Sequence, residues 1–135
     1  MNKKKANVTG QLTEITVMQK LVELGWHVAR PFSDACYVDL LVLDEYYNAY
    51  KLQVKTAYPT NTGFRLKFTK PSSKETYNSY EVDYFATVFN DKLYMVPFSV
   101  VNNRKSCCFH LAYLNDPKLY AKTYEFMSVS EKQPC

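Results

Sequence analysis

Residues 37–57, YVDLLVLDEYYNAYKLQVKTA, decide the fold: two apolar runs, 37–43 and 49–57, flank the polar segment 44–48. Short runs of this composition, broken by turn formers, predict two strands joined as an antiparallel hairpin. The first run is apolar on both faces, as in a central strand covered on both sides. It nevertheless contains Asp39. In the second run side chains alternate, so Gln53 and Lys55 point one way while Leu52 and Val54 point the other. The hairpin can bring Asp39 near Gln53 and Lys55, and an acid beside a Gln-x-Lys inside an apolar hairpin calls for a chemical reason.

Upstream, apolar residues at Leu12, Ile15, Met18, Leu21 and Val22 recur at helical spacing until Gly25, which predicts a helix lying on the sheet and capped by Thr9 or Gly10. Glu14 is its anomaly, because it precedes Met18 by one turn and falls on or beside the apolar stripe. Ahead of this helix, residues 1–9 read as a short basic arm carrying Lys3, Lys4 and Lys5. Residues 27–32 form a first strand, stopped at Pro31.

Downstream, residues 64–70 alternate, with Phe64, Leu66 and Phe68 on one face and Arg65 and Lys67 on the other. Lys70 and Lys74 carry positive charge onward into a flexible segment. Such a ribbon can lie along a phosphate backbone, and lysines on an edge strand also block aggregation; the sequence leaves both readings open. Residues 80–98 hold two more strands around a turn at Asn90 and Asp91, with Asp83 at a strand start where a turn-bonded acid is the common outcome. Residues 99–105 read as a solvent turn, 107–114 as one more strand, and 117–126 as a short terminal helix.

The chain has 135 residues, 47% hydrophobic and 22% charged, with only 3 glycines, which fits one folded domain over 1–135 and excludes a low-complexity chain. A net charge of +4 favours polyanionic partners. Cys36, Cys107, Cys108 and Cys135 lack the spacing of a zinc site and, with no signal-peptide pattern ahead of them, read as reduced thiols in a cytoplasmic protein. No run approaches the roughly 18 apolar residues of a membrane span.

Two carboxylates, an amide oxygen and a lysine suit phosphodiester hydrolysis, which needs a nucleophilic water, charge neutralisation at the phosphoryl oxygens and help for the leaving oxygen. Mg²⁺, with Mn²⁺ as a substitute, takes hard oxygen ligands: Asp39 first, Glu14 second, and the amide oxygen of Gln53 or the carbonyl of Val54 third. Lys55 would orient or activate the water.

The order of a helical Glu14, Pro31, Asp39 and Gln53–Val54–Lys55 resembles the PD-(D/E)XK nuclease superfamily in its QxK variant, and most of all the group I intron-encoded homing endonucleases of the cyanobacterial type. The resemblance covers residues 9–57 well and thins over 82–98. It implies an α/β, restriction-endonuclease-like core with a central mixed β-sheet flanked by helices. It also implies Mg²⁺-dependent cleavage of double-stranded DNA by a homodimer or homotetramer, with Glu14, Asp39, Gln53 and Lys55 as the catalytic set. Lys3, Lys4, Lys5, Arg65, Lys67, Lys70 and Lys74 are the candidate DNA contacts. A Holliday-junction resolvase or a restriction or repair nuclease would use the same residues, whereas a non-catalytic basic DNA-binding module would keep them only as a buried ion-pair network.

Overall fold

A computed structural model describes residues 3–32, 37–71, 73–101 and 103–126, with side chains from residue 8 onward. The predicted hairpin is present: β2 (Leu40–Leu43) pairs antiparallel with β3 (Ala49–Val54), with Leu40 opposite Leu52 and Leu43 opposite Ala49. Asp44 closes its turn. Its carboxylate accepts hydrogen bonds from the amides of Tyr46 and Asn48, the Asn48 side chain and the Tyr50 hydroxyl, tying down a loop in which Tyr47 takes positive φ.

On one side β2 pairs antiparallel with β1 (His27–Ala29). On the other, β3 runs parallel to β6 (Tyr84–Phe89), which turns at Asn90 and Asp91, both at positive φ, into β7 (Lys92–Pro97). The result is a mixed five-stranded sheet in the order β1-β2-β3-β6-β7. A second, three-stranded antiparallel sheet joins β4 (Tyr58–Pro59), β5 (Gly63–Lys67) and β8 (Ser106–His110).

Alternation along β6 and β7 divides the interior into two cores. Ala86, Leu93 and Met95 meet Leu40, Val42 and Leu52 beneath Val17 and Leu21 of the long helix α1 (Lys3–Glu23). Phe85, Tyr94 and Val96 face the opposite way, against Phe64, Leu66, Phe68 and Phe109 on or beside the second sheet. The predicted β5 alternation holds: Phe64 and Leu66 are buried, Arg65 and Lys67 exposed.

Several sequence expectations change. The helix begins at Lys3, so the three lysines expected in a free arm lie in its first turn, their side chains outside the described set. Its buried face is Val17 and Leu21, with Met18 half-buried, whereas Leu12, Ile15 and Val22 are more than half exposed. At about 100° per residue, 17 and 21 share a face that 12, 15 and 22 do not. β2 is not covered on both sides, because α1 shields Leu40 and Val42 while Leu41 stays 43% exposed. Residues 99–105 do not simply turn outward: a helical turn α2 (Phe98–Val101) buries Val101. The terminal helix is instead two 3-10 turns, Pro117–Leu119 and Ala121–Tyr124, separated by Tyr120 in extended conformation. Cys36 and Cys135 lie outside the described residues, and Cys107 and Cys108 are free thiols.

Gly63 sets how closely β5 and β8 approach. A Cβ built there would stand 2.0 Å from the Phe109 carbonyl oxygen, a backbone atom that cannot swing aside. Gly63→Ala is therefore expected to cost about 3 kcal/mol by overpacking. A urea midpoint equal to that of the unaltered protein would contradict this packing account.

Candidate active site

Asp39 precedes β2 by one residue and is drawn onto β3 by its amide, which donates to the Leu52 carbonyl at 3.1 Å. Its Oδ2 accepts from the Val54 amide and from Gln53 Nε2, each at 2.8 Å. The sequence thus sites the carboxylate at the end of the hairpin with two donors fixing one oxygen. With Nε2 spent on Asp39, the Gln53 amide oxygen is buried and has no hydrogen-bond partner. An orphaned acceptor of this kind is unfavourable unless something cationic or protic meets it.

Glu14 reaches the same place from α1, one turn before Val17, and its Oε1 accepts from Arg30 Nε at 3.0 Å. Burial and then the charge of Asp39 push the Glu14 carboxyl up, against the pull of Arg30. Burial also raises the Asp39 carboxyl, more than the Val54 amide, Lys55, Gln53 and Arg30 lower it. Both carboxylates thus resist ionisation chiefly because they are desolvated.

Lys55 lies just beyond β3, where its amide extends the pairing to the Ala86 carbonyl. Its Nζ donates to the Thr69 carbonyl and to the Tyr77 hydroxyl, both at 2.9 Å, and stands 4.8 Å from the centre of the Tyr77 ring. Burial brings the ammonium down to about 8, with Asp39 opposing. The two charges influence each other but form no ion pair.

Glu14, Asp39, Gln53, Val54 and Lys55 all line one open cleft of about 860 Å³. The five named site residues are therefore brought together. Arg65 and Lys67 stand exposed in its wall, Lys67 over the Tyr58 ring at 5.1 Å, and Lys74 also reaches it. Lys70 lines the cleft too, but it does not belong with the free cations: it is buried, its Nζ lies 3.1 Å from Glu81, and that bond raises its ammonium. Asp83 is a structural acid, accepting from the Lys51 amide at 2.7 Å.

Arg30, Thr69, Tyr77, Glu81 and Lys105 join the site or its supports without having stood out in the sequence. Arg30, beside Pro31, and Lys105, just before a strand, had a local signal. Tyr77 and Thr69 had none, because only the folded chain brings the irregular segment around them against Lys55.

The donor set is all oxygen, two carboxylates and a buried unsatisfied amide oxygen, which fits a hard divalent cation such as Mg²⁺. No cluster of three or more His, Cys, Asp or Glu occurs among the described residues, so such a site depends on its neutral oxygens.

The family model described as PD-(D/E)XK endonuclease matches residues 1–125. Among solved structures, that of the bacterial homing endonuclease I-Ssp6803I superposes with a TM-score of 0.68 at 19% identity, over 88% of this chain and 87% of that one. At that identity the likeness speaks for the fold, and it agrees with a restriction-endonuclease-like core. Comparison with curated proteins gives no match.

Proposed function

The chain belongs to the PD-(D/E)XK endonuclease family, and from that premise we propose that it is a Mg²⁺-dependent, site-specific double-stranded DNA endonuclease of the homing type. The observation that carries this reading is the convergence of Glu14, Asp39, Gln53 and Lys55 on one cleft whose wall holds Arg65, Lys67, Lys74 and Lys105. Nucleases of the family generally use divalent metal ions.

Asp39 and Glu14 would hold the ion, with the Gln53 amide oxygen and the Val54 carbonyl as neutral ligands. When bound, it supplies charge neutralisation at the phosphoryl oxygens and a more acidic water. Gln53 Nε2 and the Val54 amide keep Asp39 from rotating away. Lys55, brought down to about 8, sits where it can orient the attacking water and exchange a proton near neutral pH. Arg65 and Lys67 meet phosphates, which fixes register without reading sequence.

One site per chain cuts one strand, so a homodimer or homotetramer with two-fold symmetry suits a pseudo-palindromic duplex. No helix among the described residues is long and apolar enough to cross a membrane. The working location is the cytoplasm, on the nucleoid when DNA is bound.

The test is cleavage of linear duplex and four-way junctions at equal concentration with Mg²⁺. Cleavage confined to junctions would move the assignment to a resolvase, and salt-dependent binding without breaks would move it to a DNA-binding module. The wall carries its own prediction. Arg65→Ala combined with Lys67→Ala is expected to reduce the slope of log affinity against log salt by about 2, close to one per lost phosphate contact. An unchanged slope would remove both residues from the DNA interface.

A further inference from the structure

Lys55 stands in a partly buried site with Asp39 yet forms no ion pair with it, although opposite charges in such surroundings attract strongly. Collapse of Lys55 onto Asp39 would occupy the carboxylate oxygens that the proposed metal needs. The ammonium donates instead to two other groups. One is the Thr69 carbonyl; the other is the Tyr77 hydroxyl, on a side chain only 2% exposed. Tyr77 is itself wedged, edge-on to Phe85 at 5.5 Å and to Tyr37 at 6.5 Å, with the Lys70 ammonium 5.8 Å from its ring centre. Glu81 in turn fixes Lys70 at 3.1 Å.

We propose that Tyr77 is a positioning residue whose hydroxyl, on a ring wedged between Phe85 and Tyr37, holds the Lys55 ammonium off Asp39 and so keeps the carboxylate free for a divalent cation. The inference rests on the reading of Asp39 as a metal ligand. Its first half, the placement of Lys55, does not depend on that reading. Two of the three ammonium donors are committed to Thr69 and Tyr77. The third is left for water or phosphate, which is how one lysine serves the cleft without blocking it. Because the phenol acts through Lys55, it needs no contact with DNA.

Tyr77→Phe keeps the ring, its packing and the contact of Lys70, and removes only the hydroxyl. A crystal structure of this variant is expected to show Lys55 Nζ within about 4 Å of Asp39, the range of an ion pair. Calorimetric titration with Mg²⁺ alone is expected to show affinity lower by about 10-fold or more, in the range that partners of metal ligands contribute. In a Lys55→Met background the same change is expected to leave affinity where Lys55→Met alone puts it, a coupling that a general packing defect would not produce. Lys55 unmoved in the Tyr77→Phe structure would overturn the proposal, and so would weakened Mg²⁺ binding that persists in the Lys55→Met background. If Lys55 moves but neither protein binds a divalent cation, the positioning role stands and the metal reading of the site fails.

Discussion

Asp39→Asn is expected to lower Mg²⁺-dependent cleavage by about 1,000-fold or more while raising the melting temperature of the metal-free protein. The loss follows from the central place of the carboxylate, since Asp39 would be the first ligand of the ion that neutralises the phosphoryl oxygens, and removing a group that stabilises developing charge costs on this scale. The gain in stability follows from the same burial. Desolvation holds the Asp39 carboxyl above its ordinary value of 3.8 despite four groups that lower it, and its charge also raises Glu14. A carboxyl whose folded pKa exceeds its unfolded one binds its proton more tightly in the folded state, so its ionised form costs stability at neutral pH and the cost fades as pH falls through the folded value. Asn removes that cost and keeps an oxygen that can accept from Val54 and Gln53. A purely structural Asp39, held for its two 2.8 Å hydrogen bonds, would behave oppositely, with a lower melting temperature and no loss of a catalytic step. Thermal melts in chelator beside single-turnover cleavage separate the two.

Lys55→Met should be nearly as severe, slowing the chemical step by about 100- to 1,000-fold with little change in DNA affinity, because the long thioether fills the same space. Stability supplies the independent check. The Lys55 ammonium is brought by burial from 10.5 to about 8, so the folded protein sheds this proton before the unfolded chain does. Wild-type stability should therefore rise, relative to Lys55→Met, as pH climbs from about 8 towards 10.5, and the charged ammonium should be a net cost at pH 7. A flat difference between the two proteins over that window would mean that Lys55 is not desolvated in this way. Retained cleavage by Lys55→Met would sever it from the reaction.

Both residues were legible in the sequence because they break a rule. An acid in an apolar run and a lysine three residues after a buried Leu conflict with simple burial, and such conflicts collect at functional sites. Glu14 was legible for a related reason, although the stripe it was assigned to was partly wrong: Leu12, Ile15 and Val22 face outward, and Glu14 shares its face with Val17 and Leu21. Apolar residues on both faces of a helix leave periodicity ambiguous, and only tertiary packing chooses between them. The order of the five-stranded sheet was less accessible, because the parallel β3–β6 pairing joins segments about thirty residues apart across an irregular connection. The second sheet was hidden likewise: β5 shows clean alternation, but its partner β8 lies some forty residues away. Lys70 misled in the opposite direction. Its place in a run of basic residues suggested exposure, and nothing local announced that Glu81 and two tyrosine rings would bury it.

On the function proposed above, this cleft hydrolyses duplex DNA through Asp39. The most direct measurement is incubation of a random-sequence duplex library with the wild-type protein and with Asp39→Asn, with Mg²⁺ and with chelator, followed by sequencing of all new ends. New ends are expected to be enriched at a defined site on both strands, only with the wild-type protein and only with Mg²⁺. New ends produced equally by Asp39→Asn, or none from the wild-type protein at any concentration with Mg²⁺ or Mn²⁺, would contradict that function.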